Sequence, residues 1–372
     1  MSIYLDHAAT TPMRQCAIDA WVEHSGALNP GGQYADGRHA NKVLAEAREE
    51  IALVLGADPV EVVFTGSGTE ANNIAIRGLY QASVLDRVVA TPIEHPAVLE
   101  TVKALEGATV EWLPVETSGH IAELSALDQP AAVATCMWAN NETGAIQPVG
   151  EVVARAAAVG APVHIDAVQV AGKLPIDFHA LGATTLAISA HKFGGPRGTG
   201  ILLARRSPVP AATVFGGGQE RGLRPGTVDV ASAVATAAAL RASVDEMDAE
   251  IARVRQLRDE LIVGVRSRVD DVIVTTSKPA LPAHAHVMFA GADGDSLIML
   301  LDTLGIAAST GSACASGVNR MSHVLEAMGV DRRTGMGALR FTLGRTTTRD
   351  DVRFVVDNIA DVVDKARAAG SL

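Results

Sequence analysis

Aromatic side chains are scarce in this 372-residue sequence, which holds three tryptophans, three tyrosines and seven phenylalanines. Alanine, valine, leucine and glycine must therefore fill the interior of a chain that is 48% apolar. Small aliphatic side chains suit packed α/β layers better than a β-sandwich. Cysteine is nearly missing. Cys16, Cys136 and Cys314 stand far apart with no CxxC pair, which excludes a thiol-ligated zinc site and suits a reducing cytoplasm. Basic charge is in deficit, with 31 Lys and Arg against 42 Asp and Glu. The net charge of −11 argues against a nucleic acid or an anionic membrane as partner, since both need a basic face. Long apolar runs are absent too. The weakly polar stretch Val230–Leu240 is too short to span a bilayer, and "MSIYLDHAATTP" has neither the basic start nor the apolar segment of a signal peptide. What these absences leave is a soluble cytosolic α/β enzyme or binding protein, long enough for two structural units.

The patterns that are present alternate. "CAIDAWVEHSGALNP" reads as a helix ending before Asn29, and "GRHANKVLAEAREEIALVLGA" as an amphipathic helix with Val43, Leu44, Ala47, Ile51 and Val54 on one face. Strand-like pieces such as "EVVFTGSG", "DRVVATPIEH", "AAVATCMWAN", "PVHIDAVQ", "TTLAISAHK" and "GILLAR" then alternate with helix-like ones. That rhythm predicts βαβ units and a mainly parallel sheet. Near residue 245 it changes to a long charged helix, Val244 to about Val269, and a smaller α+β region with strands in "DVIVTTS", "HAHVMFAG" and "ALRFTLGR".

Polar residues sit just beyond the apolar runs. Gly66–Thr69 follow "VVF", His95 follows "VVATPIE", Asn141 follows "VATCMWAN", Asp166 and Gln169 follow "PVHI", and Lys192 follows "LAISAH". Ligands of open parallel sheets bind at the carboxyl ends of the strands, so these tips are expected to share one crevice. Taken singly, each has a plainer reading: "GSGTEA" a tight turn, Asp166 a helix cap, His95 a capping or packing residue, Lys192 a solvated charge. Cys136, inside an apolar run, suits inert packing, whereas Cys314 lies among small residues in "STGSACASG".

The combination says more. A helix N-terminus for phosphate, an acid, a stacking imidazole and a lysine meet the needs of pyridoxal 5′-phosphate. The lysine forms a Schiff base, and the acid keeps the pyridine nitrogen protonated. The glycines after Lys192 are expected to let the chain turn beside a bulky ligand. A P-loop is excluded because GxxxxGK[ST] is missing. A nicotinamide dehydrogenase would use Gly66–Ala71 for pyrophosphate and Glu94 for ribose, leaving Lys192, Asp166 and Cys314 without a task.

The segments "YLDHAATTP", "GSGTEANN", "IEHPAVL", "NNETG", "HIDAVQ", "SAHKFGGPRGTG", "GGGQERGLRPGT", "STGSACASG" and "ALRFTLGRTTT" occur in the order found in class V aminotransferase-fold cysteine desulfurases. The chain resembles the branch with a GSAC-type cysteine loop, from Tyr4 to about Thr348. The resemblance implies a fold-type-I pyridoxal-phosphate homodimer that takes sulfur from L-cysteine, leaves L-alanine and forms a persulfide on Cys314 for a sulfur-acceptor protein. It implies a large cofactor-binding α/β domain at 15–245 and a small α+β domain at 1–14 plus 246–372. Lys192 would carry the cofactor, Asp166 would pair with its ring nitrogen and His95 would stack on the ring. Gln169 and Asn141 would bond the ring hydroxyl. Gly68, Thr69, Ser189 and His191 would hold the phosphate, with Thr227 supplied by the partner subunit. Arg340 with Asn29 would clamp the substrate carboxylate, and no metal is implied. Departures from the family pattern fall at Gly31, Gly32, Tyr34 and Arg320–Met321. A selenocysteine lyase shares most of these residues, and iron–sulfur assembly, tRNA thiolation and small-molecule thiolation all stay open as destinations of the sulfur.

Overall fold

The computed structural model of the protein describes residues 2–311 and 321–369. Its strands in chain order are β1 (Ile3–Tyr4), β2 (Val62–Thr65), β3 (Arg87–Ala90), β4 (Thr109–Trp112), β5 (Val133–Met137), β6 (Val163–Asp166), β7 (Thr185–Ser189), β8 (Gly200–Ala204), β9 (Val272–Val274), β10 (His284–Phe289), β11 (Ile306–Ala307) and β12 (Ala338–Thr342). Strands β2 to β8 form one sheet in the order β2-β8-β7-β6-β5-β3-β4. The pairs from β7 through β4 are parallel, while β8 runs antiparallel to both β7 and β2. Every strand except β8 therefore delivers its carboxyl end to the same edge. Strands β5 to β8 are buried at every position, which is why they read as unbroken apolar runs.

The expected "GILLAR" strand exists, but its direction is reversed. That reversal has a use. Gly200 opens β8 opposite Thr65 and Ser189, at the ligand edge of the sheet. A Cβ there would stand 2.4 Å from the Ser67 carbonyl carbon. Backbone cannot swing aside as a flexible side chain can. Gly200→Ala should therefore displace the Ser67–Gly68 turn and cost about 1–3 kcal/mol of stability. A denaturant midpoint indistinguishable from wild type would contradict this.

Helices cover both faces. Val230–Asp245 packs against Gln15–His24 and Ala35–Leu55, so the weakly polar alanine run is an interior helix. Val43, Leu44, Ala47 and Ile51 of Ala35–Leu55 are buried as expected. Two helix ends differ from expectation. The first helix stops at His24, with Ser25 and Gly26 beyond it, short of Asn29. The charged helix, expected from Val244, starts at Met247 and runs to Arg268; Val244 and Asp245 end the preceding helix, Val230–Asp245.

A second buried cluster joins Val254, Leu257 and Leu261 to Phe289 and Phe341 and to Val355 and Ile359 of the helix Arg349–Ala369, with Ile3 and Leu5 from the N-terminal arm. Around it β9, β10 and β12 make a three-stranded antiparallel sheet, and β1 pairs with β11. The arm then crosses to the first sheet. Leu5 bonds Ala307 and Thr342, Thr11 N–H donates to His191 O at 3.1 Å, and Arg14 N–H donates to Gly194 O at 2.9 Å. The arm thus lies against the segment that carries Lys192.

Candidate active site

The carboxyl edge of the large sheet opens into a cavity of about 500 Å³. Its wall includes Gly68, Thr69, His95, Asn141, Asp166, Gln169, Ser189, His191, Lys192 and Arg340. Asn29 and Thr227 are exposed and do not line it. Cys314 and Arg320 lie outside the described residues. Gly311, three residues before Cys314, and His323, nine after it, both form part of the wall.

Asp166 closes β6 and is 5% exposed. Its Oδ1 accepts the Val168 N–H at 2.9 Å, so the capping role is real, and its Oδ2 accepts the Asn72 amide at 2.8 Å. Asn72 in turn accepts from His164 Nε2 at 2.8 Å, and His164 Nδ1 meets Thr185 Oγ1 at 2.9 Å. Burial pushes His164 down to about 3, so the ring is neutral. Asn72 must present its NH₂ to Asp166 and its oxygen to His164. That places the His164 proton on Nε2, and the chain has one consistent set of donors. It ends on Asp166 as an acceptor.

Strand β7 ends at Ser189. Lys192 follows in a single 3₁₀ turn, Ala190–Lys192, and does not belong to the strand itself. Its Nζ donates to the Ala8 carbonyl at 2.5 Å and the Ala9 carbonyl at 2.8 Å. Gly194 and Gly198 have φ of +90° and +72°, a conformation glycine takes readily. Yet Gly194 and Gly195 face Arg14 and Ala190, and neither lines the cavity. For Gly194 and Gly195 the expectation that the glycines clear space for a ligand is corrected: these two let the chain fold back on protein.

His95 is the N-cap of the helix Pro96–Lys103, with Nδ1 accepting the Ala97 N–H at 3.0 Å. Burial lowers its pKa; Asp166 opposes this, while Lys192 and His323 add to it. A neutral His95 therefore carries its proton on Nε2. His191, bonded to Thr10 Oγ1 at 3.1 Å, is pushed to about 4 by burial and then by Lys192, Arg197 and Lys173. Gln169 gives its NH₂ to Ala8 O at 2.9 Å and takes Lys173 Nζ at 3.2 Å. Arg340, 3% exposed, donates to Asp6 Oδ1 at 2.6 Å and to Asn141 O at 2.9 Å, and its buried Nε has no partner among the described residues.

Ser67 caps the helix Gly68–Ala82 by accepting the Glu70 N–H at 3.1 Å, which leaves Gly68 and Thr69 at its opening turn. A Cβ on Gly68 would sit 2.8 Å from Val168 and 3.1 Å from Ser189, so only glycine lets these elements meet. Helix-start N–H groups, an acceptor carboxylate, an amine and a neutral imidazole around one cavity fit pyridoxal phosphate.

The site also uses residues that sequence reasoning passed over. Asn72, Glu142, His323 and the Ala8 and Ala9 carbonyls all belong to it. Asn72 and Glu142 stood in "GSGTEANN" and "NNETG", but only the fold reveals their partners. Glu142 is buried, accepts Ser322 Oγ at 2.6 Å and is raised by burial. Cys136 is fully buried in β5, and burial pushes its thiol up, as inert packing requires.

Glu94 decides against the nicotinamide reading. It is fully buried, with Oε1 accepting Thr91 Oγ1 at 2.7 Å and the Met137 N–H at 2.8 Å, and it does not line the cavity. Burial raises it to about 8 from 4.5. Unfolded Glu94 is ionised between those values while the folded one keeps its proton, so stability falls as pH rises through that window. Glu94→Gln, neutral throughout, should remove that slope, which is at most about 1.4 kcal/mol per pH unit for one proton. Parallel stability–pH curves for wild type and variant would contradict the assignment.

A mainly parallel sheet, a phosphate-ready helix start and an acid and a lysine in the wall of one cavity define a pyridoxal-phosphate-dependent enzyme of fold type I. Comparison with known proteins narrows this. The chain matches the family described as aminotransferase class-V over residues 3–355, and it belongs to that family. It is 44% identical to the IscS-like cysteine desulfurase of Mycobacterium tuberculosis, over 98% of this chain and 97% of that one. The solved structure of a NifS-like protein superposes with a TM-score of 0.91 at 33% identity, covering 98% of this chain and 100% of the other. A structure described as SspA in complex with cysteine gives 0.82 at 29% identity, over 93% and 100%.

Proposed function

We propose that this protein is a pyridoxal-phosphate-dependent cysteine desulfurase, converting L-cysteine to L-alanine and leaving the sulfur on Cys314 as a persulfide. The observation that carries the reading is the convergence of Lys192, Asp166 and Arg340 on one cavity whose wall includes Gly311, three residues before Cys314. Relatives named cysteine desulfurase and a neighbour solved with cysteine support the substrate.

When bound, pyridoxal phosphate delocalises the electrons released as bonds at the substrate Cα and Cβ change. Gly68, Thr69, Ser189 and His191 would hold its phosphate, and Gln169 and Asn141 its hydroxyl. Asp166, kept an acceptor by Asn72 and Val168, would hold a proton on the ring nitrogen. His95, neutral with its proton on Nε2, would lie against the ring. The Lys192 amine, on carbonyls that accept without giving up a proton, is placed to take the Cα proton and return it. Arg340 would take the substrate carboxylate beside Asp6. Cys314 thiolate attacks the substrate sulfur, an S–S bond forms as the C–S bond breaks, and Cβ gains the electron pair and then a proton. The sum is cysteine plus thiol giving alanine plus persulfide.

Residues 15–245 would be the cofactor-binding unit, and 1–14 with 246–372 the smaller one. The largest buried cluster, drawn from residues 17–240 with Leu281, and a second of Ile3, Leu5 and residues 254–366 support that division; a smaller one, Ile93 and Met137 with Met288, Val324 and Ala338, joins the two units. A homodimer is part of the reading. Phe215 is 86% exposed and Val22 62%, apolar surface that a second copy would cover, and exposed Thr227 would serve the partner's cavity. Asn29, exposed and bonded through its side chain to Gly31 N, has no contact with this chain's own cavity. No described helix is long and apolar enough to cross a membrane, and we place the enzyme in the cytoplasm. Iron–sulfur assembly is a destination in keeping with the IscS and NifS names of its relatives.

The test is alanine and persulfide formation from L-cysteine. Cys314→Ser should bind the cofactor normally and form no persulfide, and its alanine production should fall by at least about 10²-fold, as loss of a nucleophile does. Alanine released at the wild-type rate would refute the nucleophile assignment. A strong preference for selenocysteine over cysteine would turn the reading to a selenocysteine lyase.

A further inference from the structure

A second cavity, of about 80 Å³, lies behind Lys192, which belongs to the walls of both. It is enclosed by His7 and Arg14 of the N-terminal arm, Lys173, Glu250 of the helix Met247–Arg268, and Arg345 after β12. Its charges do not balance. Lys173 donates to Gln169 Oε1 at 3.2 Å, and the charges that act on it are both cations, Lys192 and Arg340. Burial first, and then those two, push its amine down to about 7. His7 contacts Thr11 Oγ1 at 2.7 Å through Nδ1, and its buried Nε2 has no partner among the described residues. Burial and then Lys173, Arg345 and Arg253 push His7 to about 4, so it adds no charge at neutral pH. Arg14 is engaged by Glu246 at 2.7 Å and Phe193 O at 3.1 Å. Glu250, the carboxylate in this wall, is gripped by Arg253 at 2.8 and 2.9 Å. Neither offers Lys173 a counter-charge.

Lys173 is half-buried, and an ammonium drawn from water with no carboxylate beside it among the described residues gains from a bound anion or gives up its proton. We propose that this second cavity binds a small inorganic anion of the chloride kind, with Lys173 as its charged ligand. The cofactor phosphate does not fill that need, because Lys173 is not in the wall of the first cavity. The bound anion and the Lys173 proton favour each other, so affinity rises as pH falls toward about 7 and levels off below it. The anion also sits where the N-terminal arm, the Lys192 turn and the second buried cluster meet. It stabilises that junction by binding the folded chain alone. The inference does not depend on the reaction proposed above.

The experiment uses the pyridoxal-phosphate-loaded protein, so the cofactor's charge is already present. Crystals grown in bromide should show an anomalous peak in the second cavity, in contact with Lys173 Nζ. In solution, replacing gluconate by chloride at constant ionic strength should raise the melting midpoint of the wild type, more at pH 6 than at pH 8. Lys173→Met should lose that response and Lys173→Arg should keep it. An empty second cavity in the bromide map, or equal chloride responses in wild type and Lys173→Met, overturns the proposal. If Lys173→Met does not fold, the wild-type bromide map decides alone.

Discussion

Lys192→Ala is expected to abolish alanine production, with turnover down by at least about 10³-fold, the range for losing a group that both anchors a reactant and moves a proton. The expectation rests on placement. The single turn after β7 brings the Lys192 amine to the Ala8 and Ala9 carbonyls, inside the wall of the first cavity. These carbonyls hold the amine at a fixed position in that wall. The substitution removes no interior side chain of the sheet, because Lys192 lies beyond Ser189. The variant should therefore fold, with wild-type circular dichroism, and hold pyridoxal phosphate only by reversible contacts that dialysis removes. A Lys192→Ala protein that keeps its cofactor through dialysis and still makes alanine would show that another amine does the work.

Asp166→Asn should cost about 10²–10³-fold in turnover, the scale seen when one preorganised electrostatic partner is lost. Two effects combine. The neutral amide cannot hold a proton on a ring nitrogen as a carboxylate can. An amide also has one oxygen where Asp166 uses two, one for Val168 N–H and one for Asn72 Nδ2. Either donor must then face an NH₂ group, and the unpaired one pays a desolvation penalty of about 1–3 kcal/mol. The bound cofactor's absorption band should shift as its ring loses the proton, which a purely structural defect would not produce. An unchanged spectrum together with unchanged turnover would remove Asp166 from its role.

Much of this site was readable before the fold, for a physical reason. Parallel strands between helices are apolar throughout, so the first polar residue beyond each run marks the sheet edge, and His95, Asn141, Asp166, Gln169 and Lys192 do share one cavity there. The direction of β8 was not readable, because an apolar run looks the same both ways. Nor was the pairing of β1 with β11, which spans two residues each. The Ala8 and Ala9 carbonyls left no trace, since every residue carries a carbonyl. His95 met two readings at once, capping its helix through Nδ1 while its ring faces the cavity.

One chemical fact underlies the whole account: the amine at position 192 is the group that joins the vitamin-derived cofactor to this chain. Borohydride reduction of the loaded protein, followed by digestion and mass spectrometry, reads it directly. The account predicts a pyridoxyl-phosphate adduct on the peptide containing Lys192. An adduct on the peptide of Lys173 instead, the other amine of this region, or no adduct at all, would contradict it.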